Sequence, residues 1–318
     1  MGFGSPKWQG WVVDEERALP LLKHAYDCGI NTWDTADSYS HGVSERIIGK
    51  AITKYQIPRA SLVIMSKCYF SPDPSGAQPR TSTRSINDGP LVNQVGLSRK
   101  HILDAVRASV ERLGTYIDVL QIHRLDRDVS AKEIMKALND VIEMGWVRYI
   151  GASSMTCWEF QNLQWTARHF GFHEFISMQS YHNLLYREDE REMIPYCKAA
   201  GVGLMPWSPL ARGVLSRPWN QRTERESSDK YLDMLVKSRA TGTDKAIIER
   251  VEEVAAKAGV SMACIATAWS ISKGCCPIIG MTSEARIEEA IVNASYVLSD
   301  EDCKYLEECY IPKPLESF

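Results

Sequence analysis

Four side chains that can move or hold a proton stand at or just beyond the ends of three short apolar runs. Asp34 follows Gly29-Ile30-Asn31-Thr32-Trp33, and Tyr39 comes soon after it in Thr35-Ala36-Asp37-Ser38-Tyr39. Lys67 closes Leu62-Val63-Ile64-Met65-Ser66, and His123 closes Ile117-Asp118-Val119-Leu120-Gln121-Ile122. Singly, each has an ordinary reading: a turn aspartate bonding nearby backbone N–H groups, a rim aromatic, a solvated charge, a core-edge histidine. Together they suit proton donation to a carbonyl oxygen. A phenol has a pKa of about 10, too high for efficient work near neutrality. A close ammonium from Lys67 is expected to lower it, and a drop of about three units takes roughly 4 kcal/mol. Asp34 would hold the ammonium, and His123 would bond and orient the substrate oxygen.

A proton donor of this kind needs a hydride donor. The chain has no Gly-x-Gly-x-x-Gly: Gly201-Val202-Gly203 meets Pro206 where the third glycine belongs, so a Rossmann site is unsupported. Other strand ends offer parts for a nicotinamide. Ser153, Ser154 and Gln179 could bond a carboxamide, and Trp207 could stack on its ring. Gly280-Met281-Thr282, before a helix at Ser283 or Glu284, could seat a phosphate on backbone N–H groups. Arg286 in the first turn of that helix opposes the helix dipole unless it meets a phosphate. Alone, Trp207 reads as core, Arg286 as a solvated charge, and the two serines as caps.

These residues need elements to position them. Helical periodicity runs over 14–28, although Pro20 suggests a start nearer to it. A second helix is expected over 43–55. Ser98 caps a third, with Ile102, Val106, Val110 and Leu113 on one face and Gly114 as its stop. Ser130-x-x-Glu133 is a capping box before Ile134, Leu138, Val141 and Ile142. Further helices are expected over 158–170, 188–200, 244–258, 262–273, 284–294 and 300–309. Apolar strands precede Trp33, Lys67, His123, Ser153, Gln179, Trp207 and, over 276–279, Gly280. Two long polar segments, 69–97 and 212–242, carry no period.

Strand and helix alternate seven times, and the strands are nearly wholly apolar, as in a parallel sheet covered by helices. No linker interrupts them, so residues 1–318 read as one domain. Polar residues follow every strand, which favours the C-terminal rim of a closed (β/α) barrel over the single switch point of an open sheet. An eighth strand would precede Met1.

Composition narrows the partners. The 318 residues carry a net charge of −3 and are 44% hydrophobic. Nothing electrostatic favours nucleic acid or an anionic membrane. No apolar run is long enough to span a bilayer, and no signal peptide opens the chain. The nine cysteines lack metal-ligand spacing. Buried free thiols and a reducing, cytoplasmic setting are expected.

Asp-Thr-Ala-Asp-x-Tyr at Asp34–Tyr39, Lys67 after its strand, Gln-Ile-His-Arg at Gln121–Arg124, Gly-Ala-Ser-Ser at Gly151–Ser154, Trp-Ser-Pro-Leu-Ala-Arg-Gly at Trp207–Gly213 and Pro-Ile-Ile-Gly-x-Thr at Pro277–Thr282 carry a resemblance. In order, and over nearly the whole chain, they resemble the aldo-keto reductase superfamily. Within it they are most similar to the fungal aryl-alcohol dehydrogenase group, including reductases of aflatoxin-type pathways. The resemblance implies a (β/α)8 TIM barrel and NADPH-dependent reduction of an aldehyde or ketone. It implies Tyr39 as acid/base, with Asp34, Lys67 and His123 completing a tetrad. Ser153, Ser154 and Gln179 would hold the carboxamide, and Trp207 would stack on the nicotinamide. Ser208, Leu210 and Arg217 would meet the pyrophosphate. Gly280, Thr282, Arg286 and Glu289 would hold the adenosine 2′-phosphate end.

The chain departs from the family pattern at Ser154 and Ala290, where many relatives carry Asn. Met1-Gly2-Phe3-Gly4 matches only the tail of the family's first strand, so that strand is expected to be truncated or absent. Two other readings follow from the resemblance: a nucleotide-binding regulatory subunit like the potassium-channel β subunits, and an inactive truncated barrel. The substrate, a small-molecule carbonyl, would be selected by 69–97, 180–187 and 212–242. No feature of the sequence sets an oligomeric state.

Overall fold

The computed structural model describes residues 2–73, 91–221, 229, 232, 236 and 240–315. The chain gathers into two compact units, Met1–Met178 and Gln179–Ser317. Most of the segment 69–97 and much of 212–242, expected to select the substrate, lie outside the described residues.

The first unit alternates strand and helix. Its strands are β1 (Thr32–Asp34), β2 (Val63–Cys68), β3 (Ile117–Ile122), β4 (Val147–Ser153) and β5 (Phe175–Gln179), neighbours in chain order. The pairings of β1 with β2, β2 with β3 and β3 with β4 are all parallel. Between them run α1 (Glu15–Asp27), α2 (Val43–Lys54), α3 (Arg99–Leu113), α4 (Ala131–Glu143) and α5 (Cys157–Phe170). Local chemistry sets these ends. Asp14, Ser98 and Ser130 cap α1, α3 and α4 through their side chains, and Thr156 with Glu159 makes a capping box on α5. Gly114 and Gly171 stop α3 and α5 in the left-handed region. Ile102, Val106 and Leu113 of α3 and Ile134, Leu138 and Val141 of α4 are buried, as their spacing requires. Each such side chain contributes about 1.5–3 kcal/mol relative to exposure.

Two expectations shift here. α1 begins at Glu15 and carries Pro20 inside it. The Asp14 cap and the buried face of Ala18, Leu19, Leu21, Leu22 and Ala25 outweigh the lost backbone bond. Lys67 sits within β2 rather than beyond it, because pairing continues to Cys68 against Ile122. Near the chain start, Phe3 forms a parallel bridge with Val13: the Gly4 N–H donates to Val13 O and the Val13 N–H to Gly2 O.

Register decides what faces what. Asp34 pairs with Met65, Lys67 with Gln121, and Gln121 with Gly151. Side chains alternate along a strand, so Asp34, Met65, Lys67, Val119, Gln121 and Gly151 share one face. Ser66, on the opposite face, turns towards α2, where its Oγ bonds Glu45.

The second unit contains α6 (Met193–Ala200), β6 (Gly203–Leu204), α7 (Asp244–Ala258), α8 (Met262–Ser272), α9 (Glu284–Ser295) and α10 (Asp300–Glu307). The helix expected over 188–200 divides. A 3₁₀ turn at Glu188–Glu190 precedes α6, and the Glu188 carboxylate accepts from Tyr310 Oη and the Lys313 N–H. The strands expected over 202–206 and 276–279 are shortened. Only Gly203–Leu204 is a strand, with isolated parallel bridges from Leu204 to Cys275 and from Trp207 to Ile278. Pro206 and Pro277 have no N–H to give to a ladder, which explains the interruptions. Among the described residues, no single helix is long and apolar enough to cross a membrane.

Candidate active site

The turn after β1 carries Tyr39 and is held in an unusual shape. Tyr39 opens a 3₁₀ turn, Tyr39–Gly42, in which Ser40, His41 and Gly42 all have positive φ, at 49°, 54° and 83°. Only the glycine adopts this readily, so the turn persists because its surroundings over-determine it. Ser40 Oγ accepts the Ser5 N–H at 3.0 Å, and Gly4 leaves the space that Ser40 occupies. A Cβ on Gly42 would lie 2.6 Å from Arg112 Cδ. Arg112 in turn donates to Glu45 at 2.6 Å, a pair at 12% and 0% side-chain exposure.

The four expected catalytic side chains come together in the first unit. Lys67 Nζ donates to Asp34 Oδ2 at 2.6 Å and to Thr35 O at 2.9 Å. It lies 5.2 Å from the Tyr39 ring centroid. Tyr39 and His123 meet edge to face at 5.7 Å, and Phe70 covers His123 in the same manner at 5.2 Å. Trp8 lies against Tyr39 at 6.3 Å. Gln121 Nε2, a group with no role expected from the sequence, donates to Asp34 Oδ1 at 3.1 Å.

Electrostatics correct one expectation. Burial raises the Tyr39 pKa above its ordinary 10.0, and this outweighs the downward pull of Lys67; Asp34 pushes it up further. Tyr39 is therefore a neutral phenol across the neutral range, the form that can give a proton. Burial alone would lower Lys67, but Asp34 and Tyr39 together raise it above 10.5, so the ammonium stays charged. Burial, with Arg124 and Lys67, holds His123 well below 6.5, so its imidazole stays neutral. Its Nδ1 is buried without a hydrogen-bond partner.

The other expected residues divide between the units. Ser153 ends β4 and Ser154 follows it, both buried, with their hydroxyls 3.2 Å apart and Ser154 at a positive φ of 54°. Gln179, the last residue of β5 and the first of the second unit, is buried. Trp207 is the partly exposed end of a three-ring stack with Tyr181 and Tyr186. Ser208 has φ 54°, and its carbonyl accepts from Asn183 Nδ2 at 3.1 Å. Leu210 O accepts the N–H groups of Gly213 and Leu215. Arg217 donates to Gly213 O at 2.7 Å and Gln221 O at 3.0 Å, so its guanidinium braces its own loop. Gly280 and Thr282 lead into α9, capped by Ser283; Arg286 is exposed and donates to Thr282 Oγ1 at 3.1 Å. Glu289 accepts from Ser261, the cap of α8.

Within the second unit the residues present fit parts of a dinucleotide: partly exposed Trp207 offers a ring surface, and the first turn of α9 offers helix N-terminal backbone N–H groups beside an exposed guanidinium.

A sequence profile of the Aldo/keto reductase family matches residues 1–311. The chain belongs to the aldo/keto reductase family. It is 59% identical to the versiconal hemiacetal acetate reductase of Aspergillus parasiticus, covering 99% of this chain and 93% of that protein. A Schizosaccharomyces pombe protein provisionally named an aryl-alcohol dehydrogenase is 55% identical, over 99% and 92%. An aldo-keto reductase of Metarhizium robertsii is 49% identical, over 99% and 87%. As an aldo/keto reductase the chain is a carbonyl-reducing oxidoreductase, and the family generally uses NAD(P)H.

Three contributors to this aldo/keto reductase site send little signal in the sequence. Gln121 lies inside an apolar strand, where only the two-residue alternation with Val119 hints at its direction. Glu45 and Arg112, 67 residues apart, meet only in the fold.

Proposed function

We propose that the chain is an NADPH-dependent reductase of aryl or other bulky aldehydes and ketones, with Tyr39 as proton donor. The observation that carries this is the neutral Tyr39 phenol beside the Asp34-anchored Lys67 ammonium. NADPH, when bound, supplies the hydride that the carbonyl carbon accepts. His123 bonds the carbonyl oxygen and orients it towards the phenol. The Tyr39 O–H bond breaks as the oxygen takes the proton, and the phenolate left behind is stabilised by Lys67. Asp34 keeps Lys67 charged and in place.

Ser153, Ser154 and Gln179 would hold the carboxamide, and Trp207 would pack against the nicotinamide. Ser208 and Leu210 would meet the pyrophosphate, with Arg217 bracing the loop that carries them. Gly280, Thr282, Arg286 and Glu289 would hold the 2′-phosphate end. The versiconal hemiacetal acetate and aryl-alcohol names of relatives support a bulky, aromatic or secondary-metabolite carbonyl as substrate. The parallel strand–helix alternation supports the (β/α)8 TIM barrel of the family. Free cysteines support a reducing, cytoplasmic setting.

The test is Tyr39→Phe. It should abolish NADPH-dependent reduction of an aryl aldehyde while NADPH still quenches tryptophan fluorescence with unchanged affinity. Undiminished turnover would overturn the proposal.

A further inference from the structure

The Asp34 carboxylate is held from two sides. Oδ2 accepts Lys67 Nζ at 2.6 Å and Oδ1 accepts Gln121 Nε2 at 3.1 Å. Gln121 is fully buried and is the register partner of Lys67. A buried amide is costly unless its groups are used; this one spends an Nε2–H on a carboxylate, while its Oε1 is buried without a hydrogen-bond partner. The next strand makes room for it. A Cβ on Gly151, the partner of Gln121 in β4, would lie 3.1 Å from Gln121 Cγ and 2.4 Å from Ser177 Oγ.

We propose that Gln121 is a positioning residue for proton donation, its amide fixing Asp34 in the orientation that holds Lys67 against Tyr39. This rests on the reading of Tyr39 as the acid. Without the amide the carboxylate could turn both oxygens onto the ammonium and draw Nζ off the phenol. The amide prevents that turn without adding charge. A cationic donor in its place would put a second positive group near Tyr39. The charged and titratable groups facing this position are Asp34 from β1, Tyr39 from the turn after it, Lys67 from β2, and His123 and Arg124 following β3. From β4 and β5 come Gly151, Ser153 and Ser177, none of which titrates near neutrality.

The experiment measures NADPH-dependent reduction of 4-nitrobenzaldehyde by the full chain between about pH 5 and pH 9. It compares wild type, Gln121→Met, Gln121→Glu and Tyr39→Phe. Gln121→Met keeps the length and loses the donor, and its kcat should fall at least about tenfold at every pH. Gln121→Glu should work near the wild-type rate at the acidic end, where a protonated carboxyl still donates to Asp34. Its kcat should then fall as pH rises and two carboxylates come to face each other, a limb the wild type lacks. A purely structural role predicts one uniform loss across pH. A Gln121→Glu profile with the wild-type shape, at any level, therefore overturns the inference, as does wild-type kcat in Gln121→Met. Turnover by Tyr39→Phe would instead overturn the acid assignment on which it rests. An inactive Tyr39→Phe beside wild-type Gln121 variants would remove this inference alone.

Discussion

Lys67 and Asp34 form an ion pair between adjacent strands, 2.6 Å apart, with side-chain exposures of 1% and 7%. A pair so shielded is weak evidence for stability as such, since desolvation offsets much of the attraction. Breaking it from one side is another matter. Lys67→Met would leave the buried Asp34 carboxylate without its ammonium, and should destabilise the chain by about 3–5 kcal/mol. The double variant Asp34→Leu/Lys67→Met should recover much of that loss, because no lone charge remains. Both should lack activity. Urea unfolding of the two singles and the double closes the cycle; a double variant less stable than Lys67→Met would contradict it.

The pKa directions separate the two reaction directions. With Tyr39 as the proposed donor, reduction would use the protonated phenol, which persists because burial holds the Tyr39 pKa above 10.0. His123, held well below 6.5, does not become charged near neutrality. The kcat for reduction should therefore be flat between those two values and decline only as pH rises through the Tyr39 pKa. Alcohol oxidation with NADP+ needs the phenolate as base. Its rate should climb about tenfold per pH unit over the same range. An oxidation rate that levels off near pH 7 would show that Tyr39 titrates lower than its burial implies.

Asp37 offers a test of stability rather than turnover. Its side chain is fully buried, and neither carboxyl oxygen has a side-chain partner. Burial, then Glu45, raise it well above 3.8; Arg112, the Ser38 backbone and Lys67 do not offset them. The folded state thus keeps a proton that the unfolded chain releases above about 3.8. Stability from this group is fully present below that pH and is lost as pH rises towards the folded value. Asp37→Asn carries no such proton. Its melting temperature relative to wild type should rise as pH climbs from about 4 towards neutrality. A difference that shrinks over that range would show that Asp37 is ionised in the fold.

How much of this is legible in the sequence depends on the signal each residue sends. Ser98, Ser130 and Gly114 announce their helix ends by chemistry confined to one turn, and α3 and α4 follow. Asp34, Lys67 and His123 stand out because an ionisable group at the close of an apolar run is conspicuous. Tyr39 stands out with them, but the sign of its pKa shift does not, since burial depends on Trp8, Phe70 and His123 arriving from elsewhere. The positive φ at Ser40 and His41 leaves no trace in composition, because neither residue is one that usually adopts it. Pro206 and Pro277 are visible in the chain, and their missing N–H groups are reason enough to shorten the two strands expected around them.

Arg286 is the side chain expected to separate NADPH from NADH. Arg286 sits in the first turn of α9, exposed, its guanidinium bonded to Thr282 Oγ1 at 3.1 Å. A cation there opposes the positive end of the helix dipole by about 0.3–1 kcal/mol. An anion at the same turn would reverse that penalty, accepting from the guanidinium, Thr282 and the backbone N–H groups together. The 2′-phosphate is the one feature that distinguishes NADPH from NADH, so the effect of removing Arg286 should fall on one cofactor only. Arg286→Ala should weaken NADPH about tenfold or more, through loss of a charge-assisted bond, and leave NADH unchanged. It should also melt no lower than wild type, since the repulsion with the dipole is gone. Fluorescence titration of both cofactors measures the ratio. Equal weakening of the two would place Arg286 away from the 2′-phosphate.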